Sequence, residues 1–261
     1  MEDNGRLPSV NLLGVSVHRL TAAGIVKIIS RSVLNGERRI IANHNLHSIY
    51  IYHHNREMRS FYDMADYVFI DGMSLVLAGR LAGHPLGRDD RLTSLDWMVP
   101  VLSSAERQGW RIFYLGSRPG IAEKGAGILR SRHPGLNICA SHGYFDAMPW
   151  SEDNQRTIER INAYRPHILM AGMGMPRQEL WLLHNCRKLN ANVILSMGAY
   201  MDYIAGAVPT PPRWMGKAGL EWLYRLLSEP RRLWRRYLLE PWFIARMLLR
   251  ESARPPEHKK T

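Results

Sequence analysis

Short apolar runs alternate with segments of helical periodicity along most of this chain, as far as about residue 205. The runs are short and rich in β-branched and aromatic residues, as buried strands are. Between them, apolar residues recur at intervals of three and four, the spacing of an amphipathic helix. The strand candidates are VNLLGVSV, RIIA, YVFI, RIFYL, LNICA, HILMAG and NVILSMG, and the helical segments include residues 21–34, 95–108, 121–132 and 151–163.

This alternation of strands and helices predicts the fold class. Because parallel strands are usually connected by helices, we expect an α/β protein with a Rossmann-like, mostly parallel sheet and helices on both faces. Thr21, Ser94 and Ser151 stand at the starts of helical segments and are expected to cap them.

Beyond about residue 207 the pattern changes to helices alone. Helical segments at 220–227, 231–239 and 242–250 are separated by Pro230 and Pro241. Each proline suits the first turn of a new helix and would interrupt an older one. We therefore expect an α/β core at residues 1–207, a basic amphipathic helical appendage at residues 208–250 and a disordered tail at residues 251–261.

The appendage concentrates the positive charge of the protein. The net charge is +12, and residues 211–250 contain nine basic and three acidic residues, so about half of that charge lies there together with four of the eight tryptophans. Such a charge indicates an anionic partner, which could be nucleic acid, a membrane surface or a phosphorylated substrate. Short helices that carry arginine and tryptophan suit packing on the core, contact with anionic lipid head groups, or both.

The rest of the composition bears on location. Cys139 and Cys186 have neither the spacing of a zinc site nor that of a disulfide framework, which suits a reducing cytoplasm. The first residues lack the apolar region of a signal peptide, and no apolar stretch is as long as a membrane span. We therefore expect a protein that is soluble or peripheral to a membrane.

A carboxylate follows directly on the apolar run YVFI. In open α/β sheets, ligands bind at the carboxyl ends of the strands, where Asp71 is placed. Partial burial there would raise the pKa of Asp71, and Gly72 would allow a substrate to approach closely. Asp71 is therefore a candidate catalytic acid or base, with the N-cap of a helix that begins near Met73 as the alternative that needs no chemistry.

Two glycine-rich turns follow other strands. Gly116 and Ser117 end the run FYLGS, and Gly172 and Gly174 end the run MAGMG. A strand, a glycine turn and a helix N-terminus together form a site for a diphosphate, although tight turns alone would show the same pattern. In the helix after the second turn, Gln178 and Glu179 are expected to face the crevice and bind sugar hydroxyls or a base, with helix capping as the alternative for Glu179.

The stretch ANHNLHS follows the strand RIIA and is rich in amides and histidines. Asn43 and Asn45 lie at the same edge of the sheet and are candidates for hydrogen bonds to a sugar or diphosphate. His44 and His47 have no acid at metal-ligand spacing, so we do not expect a metal site.

The Asp-x-Asp motif that holds a metal on the diphosphate in many nucleotide-sugar enzymes does not follow any strand. The charge of a leaving diphosphate must then be met by arginines and helix N-termini. Arg225, Arg232 and Arg235 are candidates, because their spacing of seven and three would place them on one helix face if the helix phase continues across Pro230.

Several stretches taken together resemble one family. FIDGM, RLTSLDW, FYLGSRPG, HGYFD, AGMGMPRQELW and the region from YMDYIAGAVPTPP to LLSEPRRLWRRY are similar to the WecG/TagA/CpsF glycosyltransferases, which form glycosyltransferase family 26. The similarity extends from about residue 9 to residue 240.

The resemblance implies inverting, metal-independent transfer from a UDP-sugar to a saccharide on a polyprenyl diphosphate, at the cytoplasmic face of the plasma membrane and without a cofactor. It implies that Asp71 is the base and that Gln178 matches the family's glutamine. Arg91 to Ser94 match an Arg-x-Thr-Gly motif, so Arg91 is a candidate catalytic residue and Thr93 a substrate-binding residue. The appendage would close the site and supply the arginines.

This chain also departs from the family pattern. Asn43-His44-Asn45 stands where Thr-x-Asn is common, Ser94 where glycine is usual, and Thr210 where an arginine is usual. These changes bear on the donor, which in the family is UDP-glucose, UDP-N-acetylmannosamine or its uronate, and the departure at ANHNLHS favours a glucosyl-type enzyme.

Two other classes of function have weaker support from the sequence. The sequence leaves open whether the protein forms homo-oligomers. An NAD-linked oxidoreductase should have GxGxxG in its first glycine turn, followed by an acid, and this chain does not. A nucleic-acid-binding protein would spread its basic charge over a groove-facing element, whereas here the charge lies in short helices broken by proline. We therefore expect no nucleic-acid partner.

Overall fold

The computed structural model describes residues 7–210, 212, 214–215 and 220–252. Six parallel strands form one sheet in the order β4–β3–β8–β7–β5–β6, and a two-stranded hairpin, β1–β2, precedes it. The strands are β1 Ser9–Leu12, β2 Val15–His18, β3 Arg39–His44, β4 Tyr67–Ile70, β5 Arg111–Gly116, β6 Asn137–Ser141, β7 Ile168–Gly172 and β8 Val193–Ser196.

Helices connect the strands and cover both faces of the sheet, as predicted. They are α1 Ala22–Leu34, α2 Leu46–His54, α3 Arg56–Met64, α4 Met73–Leu81, α5 Ser94–Gln108, α6 Ile121–Arg132, α7 Glu152–Tyr164, α8 Arg177–Asn185 and α9 Tyr200–Ile204. Alternate residues of β5 belong to two buried clusters: that of Phe113 includes residues of α2, α3, α4, α7 and α8, and that of Ile112 includes residues of α1, α5, α6 and α9. Both faces of the sheet are therefore buried, which is why the strands are continuous apolar runs.

The run VNLLGVSV, predicted as one strand, is instead a hairpin. Its two strands are antiparallel and meet at Leu13 and Gly14, whose φ angles are 53° and 75°. Positive φ at both central residues matches the right-handed twist of a tight hairpin, and glycine accepts this conformation without strain. The hairpin packs against β4 at the edge of the sheet.

The direction of the connections reverses between β5 and β7. From β5 the chain passes to β6 at one edge, and from β7 it passes to β8 in the opposite direction. The loops that follow these two strands therefore diverge, and such a point is where open α/β sheets bind ligands.

Two of the three predicted helix caps are correct. The hydroxyls of Thr21 and Ser151 accept hydrogen bonds from backbone N–H groups in the first turns of α1 and α7. The prediction for Ser94 was wrong, because the extended residue before α5 is Thr93 and Ser94 is the first helical residue. The carboxylate of Asp96 accepts from both the backbone N–H and the hydroxyl of Thr93, which fixes the start of the helix there.

The C-terminal region contains α10 Glu221–Ser228, α11 Pro230–Trp234, a π-helical turn Arg235–Leu239 and α12 Glu240–Ser252. Pro230 begins a new helix, as predicted, because Glu229 is not helical. The predicted break at Pro241 was wrong, since α11, the π turn and α12 run on without interruption. Pro241 has no N–H to donate, and the wider turn before it lets Glu240 donate to the carbonyl of Arg235.

This C-terminal region packs on the α/β core. Leu233 and Ile244 are buried, and the Phe243 ring contacts those of Tyr50 and His54 on α2. Helix α12 also contacts α4. Among the described residues, no helix is long and apolar enough to cross a membrane. The predicted disordered tail falls mostly on residues 253–261, which lie outside the described part of the chain.

Candidate active site

Two adjoining cavities lie where the C-terminal helices meet the carboxyl edge of the sheet. The first has a volume of about 240 Å³ and the second about 480 Å³. The first has an apolar wall that includes Trp222 and Tyr237, and the second reaches the ends of the strands. Residues that line both cavities mark their junction: Asn45, His47, Asp71, Arg225 and Arg236.

Asp71 follows β4 directly and stands at this junction. Its N–H donates to the carbonyl of His44 over 2.7 Å, which continues the pairing of β4 with β3. Its Oδ2 accepts a hydrogen bond from Nδ2 of Asn43 over 3.1 Å. The N-cap position of α4 belongs to Gly72, whose φ of 97° suits glycine, so the alternative that Asp71 is the N-cap was wrong.

The two asparagines at the end of β3 have different local roles. Asn43 is in the strand and lines the second cavity, where its amide reaches Asp71. Asn45 is the N-cap of α2, and its Oδ1 accepts from the N–H of Ser48. His44 between them points into the core, where burial lowers its pKa to about 3. The residues that the structure describes include no group of three His, Cys, Asp or Glu side chains that could hold a metal.

The glycine turns are explained mainly by packing. Gly116 and Gly172 are paired across β5 and β7, and a Cβ atom on Gly116 would overlap the backbone of Gly172. Ser117 is buried and its hydroxyl bonds that of Tyr114. Gly174 alone among the predicted turn residues lines a cavity, and its φ of 82° suits glycine. Gly116, Ser117 and Gly172 line neither cavity.

Gln178 and Glu179 do not face the crevice, and that expectation was wrong. Both side chains are 0% exposed. Gln178 accepts a hydrogen bond from the N–H of Gly174 and donates to Ser196 and Glu179. Burial raises the pKa of Glu179 to about 7, although the hydrogen bonds from Gln178 and Ser196 oppose the shift. This buried network holds the Gly174 turn in place under the second cavity.

The loop before α5 brings Thr93 to the second cavity but turns Arg91 aside. The N–H of Leu92 donates to the carbonyl of Ile70, which ties this loop to the end of β4. Arg91 forms an ion pair of 3.3 Å with Asp96, the residue that also accepts from Thr93. Arg91 is not among the residues that line either cavity, so its position suits support of the Thr93 loop.

Two of the three predicted arginines reach the site. Arg225 lines both cavities and its guanidinium lies 5.5 Å from the centre of the Tyr203 ring, while Arg235 lines the second cavity. The side chain of Arg232 lies outside the described part of the structure. The three arginines were predicted to share one helix face if the helix phase continued across Pro230. That condition was wrong, because α10 ends before Pro230.

Arg236 also belongs to the site, and the sequence pattern did not indicate it. Burial lowers the pKa of Arg236 from its ordinary value, and Tyr237 opposes that shift. Arg225 adds to the lowering, whereas Glu240 and Asp71 oppose it. An arginine remains cationic through such changes, so the junction contains a partly buried positive charge beside the carboxylate. The π turn places Arg236 there, and a straight α-helix does not predict that placement.

The contact between His47 and Glu240 is a second feature of the site that the sequence pattern does not indicate. His47 was considered only as a metal ligand, but its Nδ1 lies 2.9 Å from both carboxylate oxygens of Glu240. This contact joins α2 of the core to the first residue of α12.

The sequence is similar to known proteins over most of its length. The chain matches the model of the Glycosyl transferase WecG/TagA/CpsF family over residues 10–258. Three curated relatives from Staphylococcus aureus, in strains MW2, NCTC 8325 / PS 47 and COL, are each 24% identical over 245 residues, which cover 90% of this chain and 91% of the relative. Each is named N-acetylglucosaminyldiphosphoundecaprenol N-acetyl-beta-D-mannosaminyltransferase.

Proposed function

Because this chain belongs to the WecG/TagA/CpsF family of glycosyl transferases, we propose that it transfers a hexosyl group from a UDP-sugar to a saccharide carried on undecaprenyl diphosphate. The product would enter the synthesis of an exopolysaccharide or another polysaccharide of the cell envelope. The observation that carries the proposal is the position of Asp71 at the junction of two cavities, with Arg225 and Arg236 beside it.

In this proposal Asp71 is the general base. Its carboxylate takes the proton of an acceptor hydroxyl, and the oxygen attacks the anomeric carbon of the donor from the face opposite to UDP. The new C–O bond forms as the bond from the anomeric carbon to the diphosphate oxygen breaks, and UDP leaves with the electron pair. Attack from the opposite face inverts the configuration at that carbon.

The arginines would stabilise the leaving diphosphate. Charge builds on the diphosphate oxygens as the bond breaks, and fixed cations aimed at that charge lower the barrier. Arg225, Arg235 and Arg236 line the second cavity, which is the larger and extends to the strand ends. We place the UDP moiety there, with charge neutralised by these side chains without a metal.

The C-terminal helices would bring the enzyme to its lipid-linked acceptor. Trp242 is 74% exposed, and Trp234, Leu238 and Leu239 are also exposed on the same continuous helical segment. Exposed arginines such as Arg246 accompany them. Exposed aromatic and basic side chains suit the head-group region of an anionic membrane. We therefore place residues 208–250 on the cytoplasmic membrane surface. There they would form an appendage that closes the site of the core at residues 1–207.

The donor sugar is the finer part of the proposal. The Staphylococcus aureus relatives are named for transfer of N-acetylmannosamine, whereas Asn43-His44-Asn45 departs from the family motif and favours glucose. We therefore propose UDP-glucose, UDP-N-acetylmannosamine or its uronate as donors.

A panel assay tests this function. The full-length protein would be incubated with each UDP-sugar and a short-chain polyprenyl-diphosphate-linked N-acetylglucosamine, with UDP release and product mass as readouts. We expect acceptor-dependent UDP release with one donor and a product heavier by one hexosyl unit. If no UDP-sugar in the panel gives acceptor-dependent product, the proposal is wrong.

A further inference from the structure

His47 and Glu240 make a contact that joins the core to the C-terminal helices inside the site. Nδ1 of His47 lies 2.9 Å from Oε1 and 2.9 Å from Oε2 of Glu240. The two side chains are 22% and 10% exposed, so the pair is largely shielded from water. His47 lines both cavities at the junction that also holds Asp71.

This contact fixes the tautomer of the imidazole. An ionised carboxylate only accepts hydrogen bonds, so Nδ1 of His47 must carry the proton and donate it towards Glu240. Nε2 is then the nitrogen that is left for other contacts. It bonds to no other residue within the described part of the chain, although the ring lines both cavities. A ring that is held through Nδ1 offers Nε2 to whatever occupies the junction.

The surroundings of His47 indicate the kind of group that it would meet. Arg225 and Arg236 already supply cationic donors for a diphosphate at this junction, and Asp71 supplies a carboxylate. In the neutral ring, a bare Nε2 accepts a hydrogen bond. Hydroxyl groups are the donors that a sugar brings, so the chemistry at Nε2 matches a sugar hydroxyl better than a phosphate.

We infer that Nε2 of His47 hydrogen-bonds a sugar hydroxyl at the junction of the two cavities, and that Glu240 is the positioning residue that holds the ring for this contact. The inference rests on the proposed transfer reaction. Because Glu240 is at the start of α12, the contact between His47 and Glu240 forms only when the C-terminal helices are docked on α2. Docking would then control how the sugar is held, in addition to supplying arginines.

Two substitutions of His47 separate a substrate contact from a structural one. The side-chain amide of asparagine overlaps Nδ1, so His47→Asn keeps a donor for Glu240 and loses the group at Nε2. The longer side chain of glutamine places its amide near Nε2, so His47→Gln keeps a polar group for the sugar and loses the contact with Glu240. The kcat and KM of both variants would be measured in the full-length protein, with the donor and acceptor that give product for the unsubstituted enzyme.

We expect His47→Asn to lower kcat/KM by about 10-fold or more, the effect of losing one well-placed hydrogen bond, and His47→Gln to retain more activity than His47→Asn. Glu240→Ala should lower kcat/KM as well, because the ring loses its support. His84→Asn, in the loop after α4 and outside both cavities, is the control and should stay near the unsubstituted value.

The opposite order, with His47→Asn active and His47→Gln inactive, would show that His47 only fastens the C-terminal helices and would overturn the inference. Equal activity in the two variants would overturn it too. These results differ from failure of the proposed function, in which the unsubstituted enzyme itself forms no product with any donor of the panel.

Discussion

Asn43 donates a hydrogen bond from its side-chain amide to Oδ2 of Asp71 over 3.1 Å. The two residues stand at the carboxyl ends of β3 and β4, which pair in parallel, so the hydrogen bond crosses between neighbouring strands. Asn43 itself is held by the strand, where its carbonyl accepts from the hydroxyl of Tyr62 over 2.9 Å. The sheet therefore helps to set the orientation of the proposed base.

Asn43→Ala should lower kcat and leave the affinity for UDP nearly unchanged. A hydrogen bond to a charged group contributes about 1.5–3 kcal/mol, which corresponds to a decrease in kcat of about 10-fold to 100-fold. Steady-state kinetics at saturating donor would measure it. In the comparison variant Asn45→Ala, loss of the N-cap of α2 should lower the free energy of unfolding by about 1 kcal/mol. An unchanged kcat in a folded Asn43→Ala protein would contradict the orienting role.

Arg236→Ala should weaken the binding of UDP. The guanidinium lines both cavities and remains cationic, so its removal takes away one charged contact to the diphosphate. We expect the Kd for UDP, measured by calorimetry, to rise by about 10-fold or more. Arg246→Ala is the matched control, because Arg246 is on the same continuous helical segment and is exposed. Equal Kd values for the two variants would exclude Arg236 from the diphosphate site.

Glu179 should make the stability of the protein depend on pH. Burial raises its pKa from 4.5 to about 7, so the folded chain favours the protonated acid. The stability from this group is fully present below pH 4.5 and is lost as the pH rises towards 7, by up to about 3 kcal/mol. Above that pH the folded protein holds an ionised carboxylate in its core.

Glu179→Gln tests this assignment, since the amide has the same shape and does not ionise. Urea unfolding would be measured for both proteins at several values between pH 5 and pH 8. We expect the free energy of unfolding to fall with pH more steeply in the unsubstituted protein than in the variant. Parallel curves would show that Glu179 does not titrate in this range.

Exposed apolar residues of the C-terminal helices should bind membranes. The double variant Leu238→Ala and Trp242→Ala removes two exposed side chains. Neither of them lines a cavity, so the variant should lose contact with lipid and keep the site intact. Sedimentation with vesicles that contain anionic lipid should show weaker binding, while turnover with a short-chain acceptor in detergent should stay within about 2-fold of the unsubstituted rate. Unchanged vesicle binding would contradict the proposed membrane surface.

Much of the fold could be predicted from the sequence, because burial on both faces of a parallel sheet leaves a strong local signal. The strand YVFI and the helix at residues 121–132 match β4 and α6 in their bounds. The hairpin β1–β2 was missed because its turn, Leu13–Gly14, lies inside an apolar run and has no polar turn signal beyond one glycine.

The site was harder to predict, because it depends on where side chains point after the elements pack. Asp71 could be placed from the end of a strand, since carboxyl ends converge in any parallel sheet. The burial of Gln178 could not, because a helix start has residues on both its faces and the sequence does not tell which face meets β8. The placement of Arg236 depends on a π turn and that of Glu240 on contact with α2, and neither leaves a periodic pattern.

Transfer by Asp71→Asn, measured together with the binding of UDP to the same protein, tests the account most directly. The amide keeps the shape of the side chain and can still bond Asn43, but it cannot take a proton. We expect the rate of transfer to fall by about 10²-fold to 10⁴-fold, with a Kd for UDP within about 3-fold of the unsubstituted value. Near-normal turnover in this variant would show that Asp71 is not the base.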